Sequence, residues 1–332
     1  MPDVSVVIST LGNYEGLARV LKGYEHQDAP EGSFEVLVVA DCADPEPHRV
    51  DALLVDRPYP VRRLTGNRRG LSANRNTGTA ASEAPLVLFT DNDTIPSPQL
   101  VSEHLAWHRE NPEEEVGVVG HVRWAREIKV TPFMHWLDHG VQFDYPNIHG
   151  TEAGWGRFYG ANSSAKRSFV ERVGGYDEVR LPYLYEDLDF GYRASKLGFR
   201  VLYNRRAEVE HLREMDLEFW QQKVGRLARV ERTFVAKHPE IPPYFYELFS
   251  KAAALPPARG RGKGLIRLVP RAFPWLGPRV WTSADLYYRQ GLAPGFLEAW
   301  DSDEPPEPAE GPVAPYLLDS VHSGGSSPSG PK

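Results

Sequence analysis

Two aspartates, Asp91 and Asp93, stand one residue apart shortly after the apolar run at residues 86–89. Carboxylates with this spacing at the end of a strand can point into the same crevice, where their mutual repulsion must be relieved by protonation, a cation or solvent. Oxygen ligands of this kind suit Mg²⁺ or Mn²⁺. Asp and Asn also favour turns, so the pattern alone leaves a metal site and an ordinary turn equally open.

A second group of acids, Glu186, Asp187 and Asp189, is expected at the start of a helix that closes near Gly198. The helix dipole favours acids at this position, which requires no functional role. If the helix start faces the crevice of the aspartate pair, one carboxylate could instead act as a general base that removes a hydroxyl proton from a nucleophile. The position of the helix relative to the pair decides between the two interpretations.

The elements that must position these acids alternate between strand and helix. Apolar runs at residues 4–8, 34–40, 61–64 and 86–89 predict strands, and residues 13–27 and 70–82 predict helices between them. This alternation predicts an α/β fold, a mostly parallel central sheet with helices on both faces. Such sheets bind ligands at the carboxyl ends of their strands, which is where Thr10, Asp41 and the aspartate pair fall.

Composition narrows the class of protein. The chain has 332 residues, one cysteine (Cys42) and a net charge of -7, of which -5 lies in residues 301–332. With about -2 left on the first 300 residues, no nucleic-acid partner is expected. A single cysteine and no signal-like N-terminus predict a cytoplasmic protein without a disulfide framework. No apolar run approaches the roughly 18 residues of a transmembrane helix.

Seven segments, in order along residues 3–212, resemble the motifs of family 2 glycosyltransferases. They are VSVVISTLGN, VLVVADCAD, GLSANRNTG, LVLFTDNDT, GANSSAKRSFVERVGGYDE, YEDLDFGYRASKLGFRV and EVEHL. The resemblance implies a GT-A fold, which is Rossmann-like, and a metal-dependent, inverting enzyme. Such an enzyme moves a sugar from a nucleotide-diphosphate donor to an acceptor hydroxyl.

The resemblance also implies how the donor is held. The D-x-D motif falls on Asp91 and Asp93, which would hold Mn²⁺ or Mg²⁺ on the donor's diphosphate, with His211 completing the metal or diphosphate shell. In this chain the family's Ala-Arg-Asn segment reads Ala-Asn-Arg-Asn at residues 73–76, so its arginine is displaced by one residue. The implied donor nucleotide-binding residues are Thr10, Asp41, Arg75, Asp91 and Asn92.

The catalytic and acceptor residues follow from the same resemblance. Asp187 matches the second residue of the family's Glu-Asp pair and would be the catalytic base, with Glu186 as the competing choice. Trp155 and Tyr159 would contact the acceptor, since aromatic rings can stack on a sugar face. Asn162 in the same segment is a further expected acceptor contact. As single aromatic residues, Trp155 and Tyr159 could equally belong to the core.

Three regions are expected along the chain. Residues 1–240 would form the GT-A domain, with a nucleotide-sugar-binding half at 1–120 and an acceptor and catalytic half at 121–240. Residues 241–300 would form a mainly helical extension, and the Pro-, Glu-, Gly- and Ser-rich residues 301–332 a disordered tail. Basic residues are interspersed with apolar and aromatic residues through 251–279, which permits peripheral membrane contact. Prolines interrupt any long amphipathic helix in this segment, which favours instead a helical appendage packed on the protein.

The predicted function is therefore hexosyl-type transfer in polysaccharide, glycolipid or secondary-metabolite glycosylation, to a carbohydrate, lipid-linked or small-molecule acceptor. Two alternatives remain at this point. A nucleotidyltransferase acting on sugar phosphates would also use carboxylate-bound Mg²⁺, but the residues after the first strand are poor in bases. A non-catalytic protein that binds sugar nucleotides would keep the same aspartates without turnover.

Overall fold

The computed structural model describes residues 1–260, 263–268, 272 and 275–304. In chain order its strands β1 to β8 are Val4–Thr10, Phe34–Ala40, Val61–Thr65, Leu86–Asp91, Thr94–Pro96, Val116–Trp124, Asn162–Lys166 and Arg200–His211. Within these residues the strands form one sheet in the order β3-β2-β1-β4-β7-β6-β8-β5. The sheet therefore joins strands from both halves of the expected GT-A domain.

Helices connect the strands and follow them at the C-terminal side. The helices α1 to α10 in the described part of the chain are Tyr14–Tyr24, Pro47–Leu54, Leu71–Ala81, Leu100–Glu110, Pro132–Leu137, Arg167–Val173, Glu186–Ser195, Leu217–Lys237, Tyr244–Ala253 and Gly277–Asp301. Asn13 caps α1 by accepting a hydrogen bond from the backbone N–H of Gly16 at 3.1 Å. Asp216 caps α8 in the same way, from Phe219 at 2.8 Å. Each cap contributes about 1 kcal/mol and determines where its helix begins.

Strand β1 lies between β2 and β4 and runs parallel to both. Its last residue, Thr10, pairs with Ala40, and Ser9 pairs with Asp91. Because the carboxyl ends of the three strands meet at one edge of the sheet, the polar residues that follow them lie close together. The predicted α/β fold and the placement of its polar edge are confirmed.

The other half of the sheet is mixed. Strand β7 is antiparallel to both β4 and β6, and β5 is antiparallel to β8. Strands β6 and β8 are parallel, so four of the seven pairings among the described strands are parallel. The prediction of a mainly parallel sheet agrees best with β1 to β4, which pair in parallel and alternate with helices.

Two hydrophobic cores support the molecule. The sheet core joins β1, β2 and β4 to the helices that cover them and includes Val6, Leu37 and Phe89, each fully buried. The helical core joins α5, α8, α9 and α10 and includes Trp136 and Phe296. The predicted helical C-terminal region is confirmed, and it shares its core with α8.

Three further expectations concern the domain boundary at residue 240, the disordered tail and membrane-spanning helices. The domain boundary at residue 240 stays a prediction, although α8 before it and α9 after it share the helical core. Most of the expected disordered tail, residues 305–332, lies outside the described residues. Among those described, no helix is both long enough and apolar enough to cross a membrane.

Candidate active site

The edge formed by β1, β2 and β4 gathers the predicted donor residues. Thr10 Oγ1 accepts a hydrogen bond from Asn92 Nδ2 at 2.9 Å. The buried carboxylate of Asp41 accepts hydrogen bonds from the backbone N–H groups of Ala43 and Gly70, at 2.9 and 2.7 Å. These contacts hold the loops around the edge, while a contact of Thr10, Asp41 or Asn92 with a nucleotide stays a prediction.

Gly70 is required at the start of α3. Its φ of +119° is unfavourable for residues with a side chain, and a Cβ there would lie 2.8 Å from Pro182 Cβ. Ser72 on the same helix donates from Oγ to Leu181 O at 2.6 Å. The start of α3 thus packs directly on the segment that leads into α7.

Arg75, on α3, is the charged centre of the site and only 2% exposed. Its Nη1 donates to Glu186 Oε1 at 2.8 Å and to Asp187 Oδ1 at 2.6 Å, and its Nη2 lies 3.6 Å from Asp91 Oδ1. The resemblance places Arg75 among the nucleotide contacts, whereas here its guanidinium pairs with carboxylates from two elements. It links the aspartate pair to the start of α7.

Asp187 is the more accessible acid of the Glu-Asp pair, with a side chain 23% exposed against 6% for Glu186. Its Oδ2 accepts a hydrogen bond from the Gly160 N–H at 2.7 Å, and its Oδ1 accepts from Arg75. Burial raises the pKa of Asp187 to about 7, although Arg75 favours the ionised form. A pKa near neutrality suits a group that accepts a proton during catalysis.

The segment before α7 is held in an uncommon conformation. Leu184 and Tyr185 have φ values of +57° and +49°, in the left-handed region. Such a conformation costs about 1–3 kcal/mol per residue and persists only where the surroundings enforce it. The Tyr185 hydroxyl donates a hydrogen bond to the buried Glu231 carboxylate on α8. This contact fixes the backbone that carries Asp187.

The two aspartates of the D-x-D motif differ in their surroundings. Asp91 lies partly buried beside Arg75 and Asp93, with a side chain that is 29% exposed, and desolvation raises its pKa to about 6. Burial also opposes ionisation of Asp93, but His211 and Arg213 outweigh it and hold the pKa of Asp93 well below its usual range. His211 Nε2 lies 3.5 Å from Asp93 Oδ1, and Arg213 Nη2 lies 3.3 Å from Oδ2.

Asp91, Asp93 and His211 can contribute to a divalent-cation site but do not complete one. In residues 1–260 and the described segments beyond, no three His, Cys, Asp or Glu side chains are grouped closely enough to hold an ion. Mg²⁺ is usually bound through one or two carboxylates plus substrate phosphates and water. The donor set fits that pattern, in which the substrate supplies ligands.

Glu186 and Asp187 line a cavity of about 750 Å³ together with Arg75 and Asp91. The predicted acceptor residues Trp155 and Tyr159 also line it. Asn162 does not, because it is fully buried in β7. Its side chain bonds His104 Nε2 and Ala207 O, both at 2.9 Å. Asn162 therefore joins β7 to its neighbours, and an acceptor contact would require a rearrangement.

One wall of the cavity, a face of α8, was missed by sequence reasoning. The lining residues of this face recur at helical spacing, so the period of the α8 sequence carried a signal. The preceding Arg213 lines the same cavity. The α8 residues that face the cavity include Phe219, Lys223, Arg226, Leu227, Glu231 and Phe234.

Comparison with known proteins finds one family model and several curated relatives that are similar to this chain. Residues 5–169 match the family model described as glycosyl transferase family 2. Validoxylamine A glucosyltransferases from two subspecies of Streptomyces hygroscopicus, limoneus and jinggangensis, are each 27% identical over 285 residues. Each match covers 75% of this chain. The chain spans about three fifths of the relatives' own length, 59% and 63%.

Solved structures share the fold. A mannosyltransferase from Pyrobaculum calidifontis, in complex with GDP-Man and Mn²⁺, superposes with a TM-score of 0.58 at 18% identity, covering 91% of this chain and 88% of the other. Residues 1–349 of TarS from S. aureus superpose with a TM-score of 0.50 at 15% identity, covering 91% and 90%. These likenesses establish a GT-A-like architecture across the described chain.

Proposed function

We propose that this chain is a glycosyltransferase that moves a sugar from a nucleotide-diphosphate donor to an acceptor hydroxyl with inversion at the anomeric carbon. The match of residues 5–169 to the glycosyl transferase family 2 model and the similarity to curated glucosyltransferases support this proposal. The observation that carries the proposal is the position of Asp187. Its carboxylate lines the same cavity as Asp91, where the donor's diphosphate is expected. An acid so placed can act on an acceptor that enters the cavity.

Asp187 is the proposed general base. Its carboxylate takes the proton of the acceptor hydroxyl while the acceptor oxygen forms a bond to the anomeric carbon. The bond from that carbon to the diphosphate oxygen breaks on the opposite face, and the nucleotide diphosphate leaves with the bonding electrons. The greater exposure of Asp187 favours it over Glu186, whose Oε1 is held by the buried Arg75.

Arg75 and Gly160 position the base. Hydrogen bonds from the Arg75 guanidinium and the Gly160 N–H engage both oxygens of Asp187 and fix the plane of the carboxylate. A fixed carboxylate reduces the orientational entropy lost on reaching the transition state. Arg75 also balances the charge of Asp187 and Asp91, which would otherwise repel one another in a buried site.

We propose that Asp91, Asp93 and His211 hold Mn²⁺ or Mg²⁺. When bound with the donor, the ion would neutralise charge on the departing diphosphate. The oxygen-rich donor set and the position of His211 beside Asp93 support this assignment. The Mn²⁺ in the solved mannosyltransferase, which has the same fold, is in keeping with it.

The donor and acceptor are proposed as classes. A nucleotide-diphosphate sugar is in keeping with the GDP-Man complex of the mannosyltransferase. The glucosyltransferases that act on validoxylamine A favour a small-molecule acceptor in secondary-metabolite glycosylation. The cavity beside Asp187 has room for such an acceptor, with Trp155 and Tyr159 on its wall.

A panel of sugar nucleotides, incubated with Mn²⁺ and candidate acceptors, tests the proposal. We expect release of nucleotide diphosphate and formation of a product of inverted configuration. Asp187→Asn should reduce turnover by about 10³-fold or more, with a donor dissociation constant within about threefold of the wild type, because the base acts after the donor binds. Glu186→Gln, the matched neighbour, should retain more activity than Asp187→Asn.

Three results would contradict the proposal. Pyrophosphate in place of nucleotide diphosphate would indicate nucleotidyl transfer. Retained configuration in the product would remove the direct displacement. Full turnover by Asp187→Asn, with Glu186→Gln inactive and folded, would move the base to Glu186.

A further inference from the structure

The active-site cavity has an apolar side that the proposed mechanism does not use. This side is built by the cavity face of α8, the turn that follows it and the start of α9, and it lines the same cavity as Asp187. Val235 and Ile241 are only half-buried, so part of each side chain is free to contact a ligand. We refer to six lining residues as the apolar wall: Phe219, Trp220, Leu227, Val235, Ile241 and Phe245.

The apolar wall is connected to the proposed base through Tyr185, which lies two residues before Asp187. The centre of the Tyr185 ring is 5.1 Å from that of Phe234 and 6.5 Å from that of Phe245, and all three residues line the cavity. Leu188, directly after Asp187, lines it as well. A molecule whose hydroxyl reaches Asp187 therefore meets apolar side chains on both sides of that residue along the chain.

The basic side chains on this side of the cavity have interactions within the protein. The Lys223 ammonium lies 3.9 Å from the centre of the Phe219 ring, and the Arg226 guanidinium lies 3.9 Å from that of Tyr183. Long basic side chains cover apolar surface with their stems. The surface that α8 leaves for a ligand is therefore mainly apolar.

Few polar groups on this side of the cavity have hydrogen bonds left to make. The Glu231 carboxylate already accepts three. Gln142 Oε1 and Trp220 Nε1 are buried without a hydrogen-bond partner in the described part of the chain. A carbohydrate carries a hydroxyl on almost every carbon, and each hydroxyl buried without a partner weakens binding by about fivefold or more. The free acceptor on Gln142 and the free donor on Trp220 suit a ligand with few polar groups.

We propose that the acceptor is an alcohol or phenol with an apolar body, which packs against the apolar wall while its hydroxyl faces Asp187. This substrate class rests on the function proposed above, in which Asp187 is the base. The cavity of about 750 Å³ has the size of pockets that hold drug-sized ligands. Leu184 and Tyr244, which also line it, are 40% and 53% exposed. An apolar body would remove part of this surface from water, which favours binding.

The test measures binding of 4-ethylphenol, 4-propylphenol and 4-butylphenol to the full-length protein by calorimetry at pH 7. Each added methylene that becomes buried should tighten binding by about fourfold, with a single molecule bound per chain. Methyl glucoside, a polyhydroxylated probe, should bind about tenfold more weakly than 4-butylphenol or worse. Saturating UDP or GDP should leave the affinity for 4-butylphenol within about threefold, since the proposed nucleotide contacts lie at the edge formed by β1, β2 and β4.

Variants of the apolar wall show where the phenol binds. Ile241→Ala should weaken 4-butylphenol binding by about fivefold or more, because it removes apolar contact area. Leu248→Ala is the matched control and should bind as the wild type does. Leu248 is also a half-buried aliphatic residue packed on the helical core, but it is not among the described residues that line the cavity. Thermal unfolding checks each variant, and Val235→Ala, expected to weaken binding by about threefold, replaces Ile241→Ala if that variant unfolds.

Four results would overturn the proposal. They are an affinity that does not rise along the phenol series, a folded Ile241→Ala variant with unchanged affinity, tighter binding of methyl glucoside than of 4-butylphenol, and displacement of 4-butylphenol by UDP or GDP. Phenol binding that depends on Ile241, in a protein that transfers no sugar from any donor tested, would count against the proposed function and leave the apolar site standing. Transfer to carbohydrate acceptors alone would overturn the substrate class and leave the proposed function standing.

Discussion

Glu231 connects the helical core to Asp187, the proposed general base, and replacing Glu231 with glutamine tests that connection. Its carboxylate is fully buried. Oε1 accepts hydrogen bonds from the Tyr185 hydroxyl and from the Phe245 N–H at 2.8 Å, and Oε2 accepts from the Tyr246 N–H at 2.9 Å. Tyr185 lies two residues before Asp187. Glu231→Gln changes this contact while preserving the size of the side chain.

The loss in stability follows from these three hydrogen bonds. In the Glu231→Gln variant, the amide nitrogen that replaces one carboxylate oxygen cannot accept a bond, so one donor loses its partner, at a cost of about 1–3 kcal/mol. The remaining bonds lose their charge assistance, and the start of α9 loses a favourable negative charge. Burial raises the pKa of Glu231, so removal of the charge offsets part of the cost. We expect a net loss of about 2 kcal/mol in the free energy of unfolding.

The effect on catalysis acts through Tyr185. Without a firm contact at its hydroxyl, the left-handed conformation of Leu184 and Tyr185, which costs about 1–3 kcal/mol per residue, has less support. A displacement of Asp187 by about 1 Å would lower turnover by about 100-fold. The donor dissociation constant should change little, because the hydrogen bonds of Glu231 go to Tyr185, Phe245 and Tyr246 rather than to the edge formed by β1, β2 and β4.

The assay combines urea unfolding with single-turnover kinetics. The matched control is Glu240→Gln, since Glu240 accepts a hydrogen bond from the Tyr192 hydroxyl but is exposed. This control should stay within about 0.5 kcal/mol of the wild type and keep full turnover. A Glu231→Gln variant that keeps wild-type turnover at reduced stability would refute the positioning role. Unchanged stability would refute the hydrogen-bond argument itself.

Three further predictions concern the site directly. Gly160→Ala should lower turnover by about 10-fold or more while the protein stays folded, because a Cβ at residue 160 would lie 2.2 Å from Arg75 Cζ. Wild-type kinetics in this variant would exclude the close packing of Gly160 on Arg75. Because Asp187 must be ionised to accept a proton and its pKa is raised to about 7, turnover should rise with pH through about 7; a flat profile from pH 5 to 8 would contradict this assignment. Asp91→Asn with Asp93→Asn should abolish the response to Mn²⁺, measured as turnover across a metal titration, and a variant with an unaltered Mn²⁺ response would remove the metal assignment.

The sequence predicts the regular part of the fold well. Strands β1, β2 and β4 are near-continuous apolar runs bounded by polar residues, and their predicted and observed ends agree to within about two residues. The helix that begins at Glu186 was located because its acids and Gly198 mark the two ends. These features depend on local sequence, which a single chain displays directly.

The contacts of the site were less accessible to sequence reasoning. Arg75 pairs with Glu186 and Asp187 across more than 100 residues of chain, and no periodicity encodes such a pairing. Asn162 lies in a segment that resembles an acceptor loop, yet β7 buries its side chain. The left-handed backbone at Tyr185 depends on Glu231 of α8, which only the packed structure brings near.

The position of β5 at the end of the sheet has a consequence for how the protein matures. This strand directly follows Asp93, but it pairs with β8, which is made more than 100 residues later, and Thr94 pairs with His211. During translation the D-x-D motif therefore leaves the ribosome long before the strand that supports it. A nascent chain that stops before β8 can form the β1, β2 and β4 contacts but lacks the strand that supports the proposed metal site, so we expect the site to form only late in synthesis.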